Sequence, residues 1–126
     1  MSKNIHLISR WFIKEGYQKE AEGILKQFEK TAEKEEGTLM YLIHRPKWNI
    51  DLVSRPTPKQ LEVLFVEIYE DKDAFLKHVN NQQAYLKKAD AFRYFETPEN
   101  QPTQAAAMVE FLKLERGFIK PELNIK

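Results

Sequence analysis

The chain has 126 residues, 42% of them hydrophobic, which is enough for one modest core and sets the expectation of a single domain over 1–126. Its 20 basic and 19 acidic residues leave a formal net charge of +1, and no basic stripe is interleaved with aromatics, which argues against nucleic acid as a partner. Cysteine is absent, which excludes disulfides, thiolate metal sites and a cysteine nucleophile and suits a reducing compartment, the cytoplasm by default.

The opening stretch MSKNIHLISRWF has no apolar signal core followed by a small-residue cleavage site, and no apolar run approaches membrane-spanning length. A soluble protein with no membrane partner is expected. Residues 4–14 alternate as a strand, with Ile5, Leu7, Ser9, Trp11 and Ile13 on one side and His6, Ile8, Arg10, Phe12 and Lys14 on the other. Gly16 breaks the run. From Tyr17 the apolar set Tyr17, Ala21, Ile24, Leu25, Phe28 and Ala32 keeps helical spacing, with Glu and Lys filling the other face. Gly37 then suits a left-handed helix end, and 38–45 (TLMYLIHR) reads as a second strand dense in β-formers.

Residues 46–60 form a long connection. Pro46, Pro56 and Pro58 do not suit a central ladder, yet Trp48, Ile50, Leu52 and Val53 suggest that the segment folds back over something. A third strand follows at 61–69, with Phe65, Glu67 and Tyr69 on one side and Leu64, Val66 and Ile68 on the other. The acidic turn Glu70-Asp71-Lys72-Asp73 ends it and supplies Asp71 as a helix N-cap. In the helix, Ala74, Phe75, His78 and Val79 share one stripe, while Lys77 faces water. A second helical segment is expected over 82–95, marked by Tyr85, Leu86, Ala89 and Phe92 and closed by Thr97-Pro98. AAAMVEFLKLERGF then reads as a last strand with apolar groups on both parities, and 117–126 as a tail.

The order strand, helix, strand, strand, helix, strand predicts an α+β fold, a ferredoxin-like βαββαβ sandwich. Helices cover one sheet face. The other face is apolar as well, so a face-to-face homodimer, closing an α+β barrel, is the expected way to remove it from water.

Three stretches resemble the antibiotic biosynthesis monooxygenase family: EEGTLMY at 35–41, Glu67-x-Tyr69, and Asp73-Ala74-Phe75 leading to His78. The similarity runs roughly from Ile8 to Phe95 with the same element order. It implies a dimeric α+β barrel and, as reaction class, oxidation of quinols or polycyclic phenols with dioxygen and no metal or flavin. Two departures stand out. The haem-degrading branch places an asparagine on the first strand, where Ser9 stands here, and an axial histidine in the region 82–90, which has none; haem is not expected. The 46–60 connection also exceeds the family's short hairpin, and the mouth of a pocket is one place for it.

The resemblance sharpens the reading of His78. A histidine on an apolar helical face is most often a packed core residue, but strand parity sets Glu67 and Tyr69 opposite it, and a carboxylate beside an imidazole fixes its tautomer and favours a general base. His78, Glu67 and Tyr69 are therefore the catalytic candidates, with a structural ion pair as the alternative. Ser9, Trp11 and Phe65 are the candidates for a substrate-binding wall, with plain core packing as the alternative for the two aromatics and a strand kink as that for Ser9. His6 and His44 lack ligand spacing, so no metal is expected, and without a glycine-rich phosphate loop no cofactor is expected either. The implied partners are a small aromatic substrate and dioxygen. A non-catalytic binding or assembly module of the same fold, and a cofactor-free isomerase using the same base, remain open alternatives.

Overall fold

The computed structural model describes residues 3–47, 50, 53 and 61–125. The elements are β1 (Ile5–Phe12), α1 (Gln18–Lys34), β2 (Thr38–His44), β3 (Glu62–Tyr69), α2 (Lys72–Lys88) and β4 (Ala106–Leu112), with a short 3-10 turn at Phe92–Tyr94. The strands form one antiparallel sheet in the order β2-β3-β1-β4. This is the ferredoxin-like α+β arrangement, with the first and third strands central. The expectations attached to most of 46–60 fall outside the described residues.

Parity decides which side of the sheet the helices take. Leu7, Ser9 and Trp11 of β1 and Val63, Phe65, Glu67 and Tyr69 of β3 are all buried, and the register sets Ser9 opposite Phe65 and Leu7 opposite Glu67. Against this face α1 brings Ile24, Leu25 and Phe28, and α2 brings Leu86. Each such side chain contributes roughly 1.5–3 kcal/mol on burial. Trp11 is the hub: its ring meets Phe28 at 5.5 Å, Phe65 at 5.2 Å and Phe95 at 5.1 Å between centroids.

The opposite face carries Ile8, Phe12, Leu42, Leu64, Val66 and Ile68, all only partly buried, crossed by an Arg10–Glu62 ion pair at 2.8 Å. β4 adds apolar groups to both faces, with Val109 and Phe111 on the helix side and Leu112 on the open side, and each stays largely exposed. Beyond it the tail leaves Phe118, Ile119, Leu123 and Ile125 exposed as well.

Two local expectations need correction. The helical layer after β3 is not broken near residue 82: α2 runs without interruption to Lys88. The stripes led by His78 and by Tyr85 are one stripe, and it stops at Asp90, whose φ of 51° lies in the left-handed region. Gly37, in turn, is not left-handed; among the described residues only Gly16, Asp90 and Gly117 have positive φ. A Cβ at Gly37 would instead collide with the Ala74 methyl of α2, where the Gly37 carbonyl also accepts the Glu70 N–H at 2.8 Å. Glycine is required there because two backbones meet.

This predicts opposite outcomes at two glycines. Gly37→Ala should lower unfolding stability by about 1–3 kcal/mol through overpacking. Gly23→Ala, where an added methyl meets open space within α1, should raise it by about 0.5–1 kcal/mol. Urea unfolding of the two variants checks both signs.

Candidate active site

The site is built by the start of α2 and the end of β3. Asp71 accepts the Ala74 N–H at 2.9 Å and so caps α2, which holds His78 against the sheet, only 4% exposed. The imidazole lies between two phenol rings, Tyr69 at 5.1 Å and Tyr41 at 5.3 Å between centroids. Alternation along β3 puts Glu67 and Tyr69 on this side together, and the Tyr69 hydroxyl donates to Glu67 Oε1.

The hydrogen-bonded partner of His78 is Glu35, at the turn between α1 and β2. His78 Nδ1 lies 2.8 Å from Glu35 Oε1, and the same carboxylate accepts the Thr38 hydroxyl at 2.8 Å and the Asn81 amide at 2.8 Å. Burial pushes the Glu35 carboxyl up, but the hydrogen bonds from Asn81, His78 and Thr38 together outweigh it and hold the group below its ordinary value. An ionised carboxylate only accepts, so the proton of this contact sits on Nδ1. Among the described residues, Nε2 is buried without a hydrogen-bond partner. Glu67 Oε1 lies 3.8 Å from it, which is beyond hydrogen-bonding distance. The sequence-based pairing of His78 with Glu67 thus locates a neighbour, while tautomer control belongs to Glu35.

Glu67 stands in a different environment. Burial raises its carboxyl, the Tyr69 hydroxyl and His78 offset part of that, Glu35 adds to it, and the net direction is up. Burial raises the Tyr41 and Tyr69 phenols too, reinforced by the nearby carboxylates, so both hydroxyls stay neutral.

A cavity of about 280 Å³ opens between the sheet and α2, with His78 on its wall. Its wall brings together Ser9, Trp11, Phe65, Glu67 and His78, with Gln82, Gln83 and Gln104 among the polar groups and Leu86 and Val109 among the apolar ones. This is the lower end of the range for small-molecule sites, with room for one compact aromatic molecule. Tyr69 is absent from the wall; it stands behind Glu67. Ser9 is on the wall, but its oxygen already accepts the Trp11 indole N–H at 2.9 Å. A larger groove of about 510 Å³ lies on the far side of Glu35, among Gln27, Thr31, Lys34, Lys77 and Asn81, and none of the sequence-predicted site residues reaches it. Among the described residues, no group of three or more His, Cys, Asp and Glu side chains could hold a metal ion, and no helix is long and apolar enough to cross a membrane.

From sequence, Glu35 and Tyr41 are only the ends of the EEGTLMY stretch, with no site role, and Asn81 and Gln82 are not singled out. Asn81 and Gln82 lie three and four residues after His78, on the same side of one helix, and Gln82 donates to the Tyr41 hydroxyl at 3.3 Å. Glu35 carries no local signal, because it meets His78 only through the fold.

Comparison with known proteins follows from this geometry. Residues 4–92 match the family described as antibiotic biosynthesis monooxygenase. The fold is shared with MupZ from Pseudomonas fluorescens (TM-score 0.66, 15% identity, 98% of this chain and 94% of that one). It is shared also with Rv0793 from Mycobacterium tuberculosis (0.64, 14%, 90% and 97%). SnoaB from Streptomyces nogalater, a cofactor-independent oxygenase, superimposes with a TM-score of 0.62 at 13% identity over 94% of this chain and 100% of that one. At these identities the likeness is one of fold. No functionally curated protein matches the sequence.

The two carboxylates should respond oppositely to neutralisation. Glu35 is held down in the folded state, so it contributes stability above its unfolded value that is lost as pH falls through the folded one; Glu67 is held up, so ionising it as pH rises opposes folding. Glu35→Gln should therefore lower the urea midpoint at pH 7, with a smaller penalty near pH 4, whereas Glu67→Gln should raise it at pH 7 and lose that advantage near pH 4. Urea titrations of both variants at the two pH values provide the check.

Proposed function

The chain belongs to the antibiotic biosynthesis monooxygenase family, and from that premise we propose that it oxidises a small quinol or phenol-like aromatic with dioxygen, without a cofactor, using His78 as the base. One observation carries the proposal: a buried imidazole on the wall of an aromatic cavity, with its Nδ1 held by Glu35 at 2.8 Å and its Nε2 without a hydrogen-bond partner among the described residues. That arrangement suits proton removal from a bound substrate, because the tautomer with a free Nε2 lone pair is selected in advance. The cofactor-independent oxygenase SnoaB, of the same fold, supports the reaction class.

In this mechanism Nε2 takes a proton from an acidic C–H or O–H of the substrate. The electron-rich anion then passes an electron to dioxygen, and the two radicals combine to a peroxide. Trp11 and Phe65 orient the ring, and the sheet and α2 keep water from the anion. The imidazolium that forms is balanced by the Glu35 carboxylate already in contact with it. The uncovered apolar sheet face supports a homodimer as the working form, since a single chain would leave that face in water.

His78→Ala should lower oxygen uptake with a quinol or anthrone probe by about a hundredfold or more, the usual scale of a general-base contribution, with circular dichroism and oligomeric mass unchanged. Full turnover in this variant would assign the histidine to packing. Light scattering should give twice the 15.0 kDa chain mass; a stable monomer at micromolar concentration would overturn the dimer.

A further inference from the structure

The base needs one carboxylate, and the site contains two. Glu35 holds Nδ1 from behind, at the turn between α1 and β2, and accounts for the tautomer by itself. Glu67 has a different position: it lines the same cavity as His78, its Oε1 3.8 Å from Nε2, and makes no hydrogen bond to the imidazole. Its Oε1 receives the Tyr69 hydroxyl from the side away from the cavity. A group so placed faces the same bound molecule as the base without serving the base.

Resting on the oxygenase reading above, we infer that Glu67 is the general acid of the reaction: it protonates the peroxide formed when the substrate anion combines with dioxygen, and Tyr69 positions it. The steps balance. His78 Nε2 takes the first proton from a substrate methylene, and the carbanion loses one electron to dioxygen, giving a carbon radical and superoxide. These combine into a carbon–oxygen bond. Glu67 gives its proton to the terminal peroxide oxygen. The second C–H proton then passes to the Glu67 carboxylate, the C–H electron pair becomes the new C=O π bond, and the O–O bond breaks. The leaving hydroxide takes the proton held by His78. The products are the carbonyl compound and one water, with His78 neutral and Glu67 protonated as at the start. Dioxygen is the only oxidant.

The surroundings fit a carboxyl that carries a proton in the resting site. Glu67 is 6% exposed, and the titratable groups facing it are His78 from α2, Glu35 from the α1–β2 turn, Tyr41 opposite it on β2 and Tyr69 beside it on β3. Burial favours the neutral form, and the charge of Glu35 adds to that. Among the described residues, no lysine or arginine lines the cavity to hold an anion there. A raised acid beside a clamped base is how two titratable groups divide acid and base roles.

Two readouts on anthrone separate this role from that of His78. Without oxygen, in D2O, the base alone exchanges the methylene protons for deuterium; with oxygen, acid and base are both needed for uptake. Glu67→Gln should reduce kcat for oxygen uptake about a hundredfold or more, with little change in KM and far less loss in anaerobic exchange. It should also abolish the decline of kcat toward high pH that ionisation of the acid produces. Tyr69→Phe should retain exchange and lose part of the uptake, while His78→Ala should lose both. Equal loss of exchange and uptake in Glu67→Gln would make Glu67 a partner of the base and overturn the proposal, as would full uptake. Wild-type protein that exchanges the protons but takes up no oxygen would overturn the acid role and leave the base standing; wild-type protein that does neither removes the oxygenase reading and this inference with it.

Discussion

An imidazole and two carboxylates meet where β3, α2 and the α1–β2 turn come together, and their burial governs what each can do. In bulk solvent the three would titrate almost independently. Here burial reduces solvation, and hydrogen bonds from the protein decide which ionised form is kept. Glu35 is met three times, by His78, Asn81 and Thr38, and keeps its charge. Glu67 has the single Tyr69 hydroxyl and is driven toward its neutral form. The two chemically identical side chains differ because the fold distributes donors unequally between them.

That distribution depends on backbone geometry far from any polar atom. The collision awaiting a methyl at Gly37 shows how closely the start of β2 approaches α2. The residues on either side of that approach are Glu35 and Thr38 on one chain segment and His78 and Asn81 on the other. A bulkier residue at the contact would push α2 outward and lengthen the hydrogen bonds that select the His78 tautomer. Packing and acid–base chemistry are thus coupled through one glycine.

Much of this was legible in the residue order, for reasons that differ from place to place. Alternation along β1 and β3 identifies the buried face, because a strand offers only two sides and the polar exceptions Ser9 and Glu67 stand among large apolar neighbours. The N-cap at Asp71 is a local hydrogen bond, readable from a few residues. The continuity of α2 is less legible, because Asn80 and Asn81 interrupt the apolar stripe between His78 and Tyr85, and Asn81 spends its amide on Glu35. Glu35 begins the EEGTLMY stretch just after α1, but nothing beside it in the sequence marks it as the partner of His78. What distinguishes it is contact with a residue 43 positions away, and such information exists only once the chain has closed.

Trp11 holds a last implication. Its indole N–H is satisfied by Ser9 within its own strand, and its ring is wedged among Phe28, Phe65 and Phe95 while one side borders the cavity. The rotational entropy of this side chain is therefore lost when the protein folds rather than when a ligand arrives. Ordering a free side chain at an interface costs about 0.5–1.5 kcal/mol, and an incoming ring is spared that penalty at Trp11. The wall also offers no unsatisfied indole N–H to reward a hydrogen-bond acceptor, so it discriminates by shape and leaves polar recognition to the other end of the cavity.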